Sequence, residues 1–239
     1  PSDSIWFEQQ LKFSDNPVFS IDQDKEGFLW FGTRKGLYNY NGIDLTFYPT
    51  KKTESESQVS NWIWKVHTSQ DGTLWVGTSN GLLKRNRHCN CFEEIKLLDN
   101  QSSRSPIWIR QIFEDSLGNL WIGTNYGVYV YDQKKSEIAK YPLKYELDQN
   151  DEYKIFEITE ISPGKVLLAF SDGIRAVSNI INSNNRNTAK QISNIHDIEG
   201  VKAMLYTPKN EKLWVGSQSD NTGLLEYDFA SDQLNEYRL

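Results

Sequence analysis

The chain is poor in the residues that build metal sites and catalytic centres. Its 239 residues include two Cys, three His and one Met, and no Gly-x-Ser-x-Gly, His-x-x-x-His or glycine-rich phosphate loop is present. Asp and Glu (32) outnumber Lys and Arg (26), which gives a formal net charge of −6. A stripe of cations able to displace counterions from nucleic acid is therefore lacking. No apolar run has the length of a membrane span either. These absences argue against nucleic-acid binding and against a spanning segment.

Two small clusters contain side chains that could bind a metal or act in catalysis. His88, Cys89 and Cys91 are of metal-ligand type, but a structural zinc site needs about four ligands with about two to four residues between paired cysteines, and here one residue intervenes. Free thiols or a bridge within a turn are both favoured over a metal, the redox state stays open, and no cofactor is expected. Glu157 and Glu160 have the chemistry of a general acid and base, but a solvated or turn-capping role is favoured.

What the sequence has in abundance is one phrase, Gly-x-Leu-Trp-x-Gly-Thr-x-x-Gly. Copies of it, some of them degenerate, occupy residues 27–36, 72–81, 118–127, 164–173 and 212–223. The anchor residues of the copies, separated by steps of 45 to 47, are Trp30, Trp75, Trp121, Leu167 and Trp214. A period of that length is typical of the four-stranded blade of a β-propeller.

Each repeat predicts four short strands. An apolar alternation comes first, followed by a turn with Asp or Gly, the Leu-Trp-x-Gly-Thr strand, a tight turn that ends in Gly, a third strand and an outer strand. Outer strands are expected at Leu45–Tyr48, Phe92–Leu97, Ile138–Tyr141 and Gln233–Tyr237. Helical spacing of apolar residues is absent. The predicted class is all-β, a propeller of antiparallel blades at about 17–49, 61–98, 107–143, 153–192 and 199–239, after a leading strand (Ile5–Leu11) within 1–16.

The anchor Trp and the Gly two residues later lie on one face of a strand. The Gly is expected to leave room for a large indole packed alongside it or coming from the next blade. In the fourth repeat Leu167 replaces Trp while Ala169 replaces Gly. One side chain shrinks as its neighbour grows, which is typical of a core that keeps its volume. The anchor Trp residues are therefore predicted to be core.

The phrase Gly-x-Leu-Trp-x-Gly-Thr-x-x-Gly-Leu resembles the repeat of the two-component regulator propellers, the periplasmic sensor regions of bacterial hybrid histidine kinase/response regulators. Asn41-Gly42 stands where that family often has Asp-Gly. The resemblance implies seven-bladed propellers, usually two in tandem, then a further β-domain, a membrane helix and the kinase. On that basis the chain is five blades of a seven-bladed propeller in the periplasm. The alternative is a five-bladed ring with an extra N-terminal strand.

Aromatic and polar residues meet at one end of the predicted blades. Alignment on the anchor residues places Pro17, Trp62, Trp108, Lys154 and Val201 at the starts of the first strands. Two residues further on it places Phe19, Trp64, Arg110, Phe156 and Ala203. Rings that stack on sugar faces, next to planar polar groups that pair with hydroxyls, suit carbohydrate recognition. The candidate ligand-binding residues are Trp62, Trp64, Trp108, Arg110, Tyr126, Arg34 and Asn125. The competing interpretation is that Trp62, Trp64 and Trp108 only fill blade interfaces.

Two functions follow as expectations. The resemblance implies a ligand-sensing extracytoplasmic module of a hybrid two-component sensor, which detects a carbohydrate or oligosaccharide and signals through a phosphorelay to regulate transcription. This segment would then not be an enzyme, and the kinase activity would belong to the parent inner-membrane protein. The implied partners are an oligosaccharide or other small extracellular ligand, the remaining blades and a membrane-linked kinase, with homodimerisation open. The alternative is a propeller scaffold for protein–protein interaction that binds no small ligand.

Overall fold

The fold consists of strands and turns. The computed structural model describes residues 16–50, 62–89, 91–97, 106–141, 154–170, 173–178, 191–196, 198, 200–219 and 222–237. Within these ranges all regular structure is β, and no helix there has the length and apolar character that a membrane crossing needs. The all-β prediction is confirmed. The leading strand expected at Ile5–Leu11 lies outside the described residues.

The chain divides into two compact units, Pro1–Ile95 and Lys96–Leu239. The first unit contains two four-stranded antiparallel sheets, in the orders β1-β2-β3-β4 and β5-β6-β7-β8. Their strands are β1 Val18–Gln23, β2 Leu29–Thr33, β3 Leu37–Tyr40, β4 Leu45–Tyr48, β5 Ile63–Thr68, β6 Leu74–Thr78, β7 Gly81–Asn86 and β8 Cys91–Ile95.

The second unit contains three more sheets with the same meander order. Their strands are β9 Ile109–Glu114, β10 Asn119–Thr124, β11 Gly127–Asp132, β12 Glu137–Lys140, β13 Glu157–Ser162, β14 Lys165–Phe170, β15 Gly173–Ser178, β16 Gln191–His196, β17 Val201–Thr207, β18 Lys212–Ser219, β19 Thr222–Asp228 and β20 Gln233–Tyr237. The five sheets are the four-stranded antiparallel blades that the repeat predicts. The outer strand of the fourth sheet, which the sequence did not locate, is β16.

The turn between the first two strands is organised by an aspartate that also binds the anchor indole. Asp115 Oδ1 accepts hydrogen bonds from the backbone N–H of Leu117 (3.0 Å) and Asn119 (2.8 Å), and its Oδ2 accepts one from Trp121 Nε1 (2.8 Å). Asp24 binds Trp30 Nε1 in the same way, also at 2.8 Å. The carboxylates thus satisfy buried donors of both turn and core, a requirement that such groups meet in nearly all folded proteins.

The Thr of the repeated phrase shapes the tight turn that follows it. Thr33 Oγ1 donates to Gly36 O (2.7 Å) and accepts the backbone N–H of Gly36 (3.1 Å) and Lys35 (3.2 Å). Thr124 Oγ1 donates to Gly127 O in the third sheet at 2.8 Å. Gly36 has φ of 145° and Gly127 of 107°, values that side-chain-bearing residues rarely adopt. The Thr-x-x-Gly spacing therefore encodes one fixed turn.

The Gly two residues after the anchor Trp makes room for an isoleucine from the next sheet. A Cβ on Gly123 would lie 2.8 Å from Ile155 Cγ2, and one on Gly32 would lie 2.9 Å from Ile63 Cγ2. We expected the space beside this Gly to be filled by an indole. That expectation was wrong, because the group that fills the space is the β-branched side chain of an isoleucine. Ile155 and Trp121 belong to one buried cluster, together with Ile158 of β13.

The fourth and fifth sheets use a different pair of residues at the same contact. Leu167 and Ala169 share a buried cluster with Val201. Ala169 carries the methyl group that Gly123 lacks, and Val201 has one methylene fewer than Ile155. A larger residue in the fourth sheet, Ala in place of Gly, thus accompanies a smaller one in the fifth, Val in place of Ile. Such volume exchange keeps a core at its usual packing density.

Substitutions at two glycines test this interlock. We expect Gly123→Ala to lower the free energy of unfolding by about 1–3 kcal/mol, because the added methyl overpacks Ile155. The matched control is Gly216→Ala, where the nearest atom to a new Cβ is Ala203 Cβ at 3.8 Å. It should change stability by no more than about 1 kcal/mol. Urea melts of both variants measure the difference, and equal losses would contradict the interlock.

Two turn aspartates provide a second test. Asp115→Ala removes the acceptor of the Trp121 indole and of two backbone amides in a fully buried position. We expect a loss of about 2–4 kcal/mol, since charged hydrogen bonds contribute about 1.5–3 kcal/mol and buried orphaned donors add a penalty. Asp71→Ala is the control, because the exposed Asp71 accepts one hydrogen bond, from Thr73 N (2.8 Å). Its loss should stay below about 1 kcal/mol. Similar melting curves for the two variants would refute the role of Asp115.

Candidate ligand-binding site

A β-bulge recurs at the start of the first strand of four sheets. The pairing register shifts between Val18 and Ser20, between Ile63 and Lys65, after Ile109, and between Val201 and Ala203. The residues that the pairing skips are Phe19, Trp64, Arg110 and Lys202. Bulges re-aim side chains and are frequent beside binding sites. We call these four residues, together with Phe156 at the corresponding place before β13, the bulge residues.

The fifth sheet corrects the sequence alignment by one residue. Met204 pairs with Val215, whereas the equivalent partners in the first sheet are Ile21 and Phe31. The hairpin between β17 and β18 is thus one residue longer than its counterparts. As a consequence Lys202, and not Ala203, occupies the bulge, and Gly200, not Val201, precedes the first paired residue.

In the first unit three aromatic rings and a guanidinium form a continuous stack. The centroids of Trp62 and Trp64 are 4.9 Å apart with the ring planes at 22°. Phe19 lies 4.8 Å from Trp64 and 5.9 Å from Trp62, and Arg34 Cζ lies 5.0 Å from the Trp62 centroid. Both indoles are half-buried, and Phe19 keeps 38% of its surface exposed. The stack therefore presents ring surface to solvent.

The position of Arg34 follows from the turn that carries it. Its backbone N–H donates to Pro17 O (3.2 Å), while the hydroxyl of Thr33 holds the next two amides. Backbone freedom at Arg34 is thus small, and the exposed side chain extends over Trp62. Arg34, Trp62 and Trp64, three of the candidate residues, are brought together in this way.

In the second unit Arg110 Cζ lies 5.2 Å from the Trp108 ring centroid. Asn125, only 1% exposed, accepts the backbone N–H of Trp108 at Oδ1 (2.8 Å) and donates from Nδ2 to Pro106 O (3.4 Å). Both ends of its amide are engaged with backbone, so Asn125 positions Trp108 and does not face a ligand. Tyr126 is half-buried in the turn after Thr124, whose hydroxyl accepts its N–H at 2.9 Å.

The same unit adds a cation–π pair that the candidate set omitted. Lys202 Nζ, from the fifth sheet, lies 4.6 Å from the ring centroid of Phe156, which precedes the first strand of the fourth. Phe156 was visible in the sequence alignment, as was Phe19 in the first unit. Lys202 was not, because the longer hairpin shifts its repeat. A count of hairpin residues against the Trp214 anchor was the signal that could have found it.

The acidic pair Glu157 and Glu160 is engaged in joining strands β9 and β13. Glu157 Oε1 accepts a hydrogen bond from Gln111 Nε2 and another from its neighbour Ile158 N (3.0 Å). Glu160 accepts the N–H (2.9 Å) and the hydroxyl (3.0 Å) of Ser116, and the N–H of Gly164 (3.1 Å). For Glu160 the capping role expected from the sequence is confirmed. Both carboxylates connect one sheet to the next.

Cys89 and Cys91 form a disulfide at the end of the β7–β8 turn, with Cα atoms 5.2 Å apart. Of the two alternatives that the sequence left open, the bridge within a turn is the one observed. Among the described residues no three His, Cys, Asp or Glu side chains gather as a metal site would require.

Five four-stranded antiparallel sheets that repeat one Trp-anchored phrase define a β-propeller repeat protein. Residues 12–35 and 103–126 match the family model described as "Two component regulator propeller". These two stretches are thus similar to the repeat of that family. No curated protein matches the sequence.

Solved structures share the fold at low identity. The extracellular domain of a protein described as a hybrid two component system from B. thetaiotaomicron is 23% identical, with a TM-score of 0.69 over 91% of this chain and 29% of its own length. Virginiamycin B lyase from Staphylococcus aureus is 15% identical, with a TM-score of 0.66 over 93% of this chain and 70% of the lyase. The Cps50 (Swd1) propeller domain of Myceliophteria thermophila is 11% identical, with a TM-score of 0.62 over 92% of this chain and 71% of that domain. The chain spans less than a third of the length of the two-component relative.

Two tryptophans of the second sheet, Trp64 and Trp75, allow an exposed position to be compared with a core position. Trp75 is fully buried, so Trp75→Ala should cost about 3–5 kcal/mol of unfolding free energy. Trp64, half-buried in the stack, should cost less than about 2 kcal/mol as Trp64→Ala. Chemical denaturation followed by far-UV circular dichroism measures both. Equal losses would make Trp64 a core residue and would remove it from the candidate site.

Proposed function

We propose that this chain is the ligand-sensing, extracytoplasmic part of a hybrid two-component sensor, located in the periplasm, and that its ligand is an oligosaccharide. The observation that carries the proposal is the recurrent bulge, which directs aromatic and cationic side chains outward at the same end of successive sheets. The parent protein would pass the signal across the membrane to a histidine kinase and so regulate transcription.

The stack of the first unit supports a sugar ligand. Indole faces bind the apolar C–H face of a pyranose, while guanidinium N–H groups pair with its hydroxyls. Phe19, which is 38% exposed, supplies accessible ring surface beside Trp64, and Arg34 supplies the donors over Trp62. The indole and phenyl groups lose little conformational freedom on binding because they already contact each other.

The likeness to known proteins supports the sensor part of the proposal. The matched repeats are of the regulator propeller type, and the similar solved domain from B. thetaiotaomicron is the extracellular part of a protein described as a hybrid two component system. The lyase shows that this fold also serves enzymes. In this chain the acidic pair Glu157 and Glu160 is occupied in sheet-to-sheet hydrogen bonds, which favours binding over catalysis.

A glycan panel tests the proposal on the 239-residue chain. Oligosaccharides from plant, host and bacterial polysaccharides are screened by thermal shift, because a ligand at about 100 times its Kd stabilises the folded state by about 2.7 kcal/mol. At least one glycan should raise the melting temperature. A complete absence of shifts, together with no binding by calorimetry, would reject the sensor proposal for this segment.

The candidate residues are then tested with the glycan that binds. If the glycan binds at the stack of the first unit, Trp64→Ala should weaken binding by about tenfold or more, and if it binds in the second unit, Trp108→Ala should do so, since dominant aromatic anchors contribute about 2 kcal/mol. Tyr237→Ala is the control, because Tyr237 is exposed in the outer strand β20 of the fifth sheet, away from the bulges. If neither Trp variant binds more weakly than the control, the bulge residues are not the site.

Two exposed apolar side chains on the edge strands of the first sheet, Ile21 and Phe47, favour protein–protein interaction as the second candidate. Across the first sheet, Ile21 pairs with Phe31, Phe31 with Tyr38, and Tyr38 with Phe47. Ile21 is 60% exposed and Phe47 47% exposed, whereas Phe31 between them is only 6% exposed. Apolar side chains that share one sheet face and remain exposed often mark an interface. Light scattering of the wild type and of Ile21→Lys tests it, since an interface there predicts self-association that the Lys abolishes.

A further inference from the structure

The Cys89–Cys91 disulfide lies on a hairpin whose strands are already held together without it. β7 and β8 pair in antiparallel register at five positions, and Phe92 of β8 packs against the buried cluster that contains Trp30. The bridge itself encloses a single intervening residue. A disulfide restricts the unfolded chain less as its loop becomes shorter. This bridge therefore contributes little to the stability of the second sheet.

The two sulfur atoms differ in their access to solvent. Cys89 is exposed in the turn, whereas Cys91 is half-buried at the start of β8. Cys89 Sγ lies 3.9 Å from the backbone oxygen of Asn86, so a reduced Cys89 has an acceptor for its S–H beside it. A thiolate that approaches from solvent thus reaches Cys89 more readily than Cys91.

No other cysteine of the chain can attack this bridge. The 239 residues include two Cys, both are in the disulfide, and no free thiol remains. Any exchange must therefore involve a thiol from another molecule. Exchange requires access to a sulfur atom, and exposed disulfides are in general the more oxidising and labile ones. A bridge that is exposed and that the sheet does not need has the properties of this class.

We propose that Cys89–Cys91 is a thiol–disulfide exchange site that oxidises external thiols and is itself reduced to a dithiol. An external thiolate attacks Cys89 Sγ, the bond to Cys91 Sγ breaks, and Cys91 leaves as a thiolate that takes a proton from water. A second external thiolate attacks the incoming sulfur of the mixed disulfide and releases Cys89. The external thiols become a disulfide, and an oxidised partner reverses the reaction. This activity goes beyond ligand sensing and requires no bound ligand.

Glutathione buffers test the exchange on the full chain. Oxidised and reduced protein are each brought to equilibrium in a buffer poised like the oxidising secretory compartments, free thiols are alkylated, and the reduced fraction is measured by mass spectrometry. About half of the chains or more should be reduced, whereas structural disulfides resist reduction by glutathione. A bridge that stays mainly oxidised is a structural bond, and that result overturns the proposal.

The fold should survive reduction of the bridge. Far-UV circular dichroism and the melting temperature of the reduced chain should match those of the oxidised chain, because strand pairing and Phe92 hold β8. The control is the double variant Cys89→Ser/Cys91→Ser, which has neither bridge nor thiols and should melt like the reduced chain. If reduction unfolds the chain, the bridge is a structural bond and the proposal fails.

Single-cysteine variants locate the sulfur that reacts. Cys91→Ser retains the exposed Cys89, and Cys89→Ser retains the half-buried Cys91. With oxidised glutathione, we expect the Cys91→Ser variant to form a mixed disulfide about tenfold faster or more, because access limits such reactions. Equal rates, or a faster reaction of the Cys89→Ser variant, overturn the assignment of Cys89 as the attacked sulfur.

Two sources of thiol identify the kind of partner. The oxidised chain is mixed with reduced glutathione or with a reduced peptide that carries two cysteines, at equal thiol concentration. A faster reaction with the peptide supports exchange with a protein dithiol, and a faster reaction with glutathione supports exchange with a small thiol. If neither reduces the bridge, the proposal is overturned. The sensor proposal is unaffected by any of these results, because glycan binding tests it separately.

Discussion

Close contact between a glycine and an isoleucine is the constraint on which the sheet arrangement depends. The Gly after each anchor Trp has no Cβ, so Ile63 and Ile155 approach within a distance that a methyl group would block. Each of these isoleucines is followed directly by a bulge residue, Trp64 or Phe156. Because the isoleucine is fixed in the interface, the next residue leaves the regular alternation at a fixed place. Core packing therefore determines the position of the bulge residue in each sheet.

The polar residues in and next to the repeated phrase stabilise the fold. The Asp three residues before the phrase binds the anchor indole and closes the first turn, as at Asp115, and the Thr within it closes the second, as at Thr124. These polar groups are buried, and they find partners within their own sheet. Burying such groups unpaired would cost several kcal/mol, by an estimate of about 2–7. Polar residues in the repeat are thus structural, although turn Asp and Asn side chains look available in a sequence.

Short-range features of the fold could be predicted from the sequence, and long-range contacts could not. Sheet number, strand order and the core role of Trp30, Trp75 and Trp121 followed from period and alternation, which are local. The same prediction was wrong for Trp214, which is half-buried. The partner of Gly123 could not be found in that way, because Ile155 lies 32 positions further along the chain and only the packing of two sheets brings them together. The indole acceptor Asp115 was recognised as a turn residue only. Lys202 was missed because one extra hairpin residue shifts the alignment to Ala203.

The bulge positions differ from the framework in what they tolerate. At the framework positions of the phrase the five repeats have similar residues. Where a larger residue occurs on one side of a sheet interface, a smaller one occurs on the other, as with Ala169 and Val201. The bulge residues instead change from Phe to Trp to Arg to Phe to Lys along the chain, with no compensating change in the framework beside them. The aliphatic residues that directly precede four of them, Ile63, Ile109, Ile155 and Val201, are all fully buried whichever residue follows. A fold that fixes the location of these side chains while their chemistry varies from sheet to sheet is the arrangement on which the proposed binding function rests.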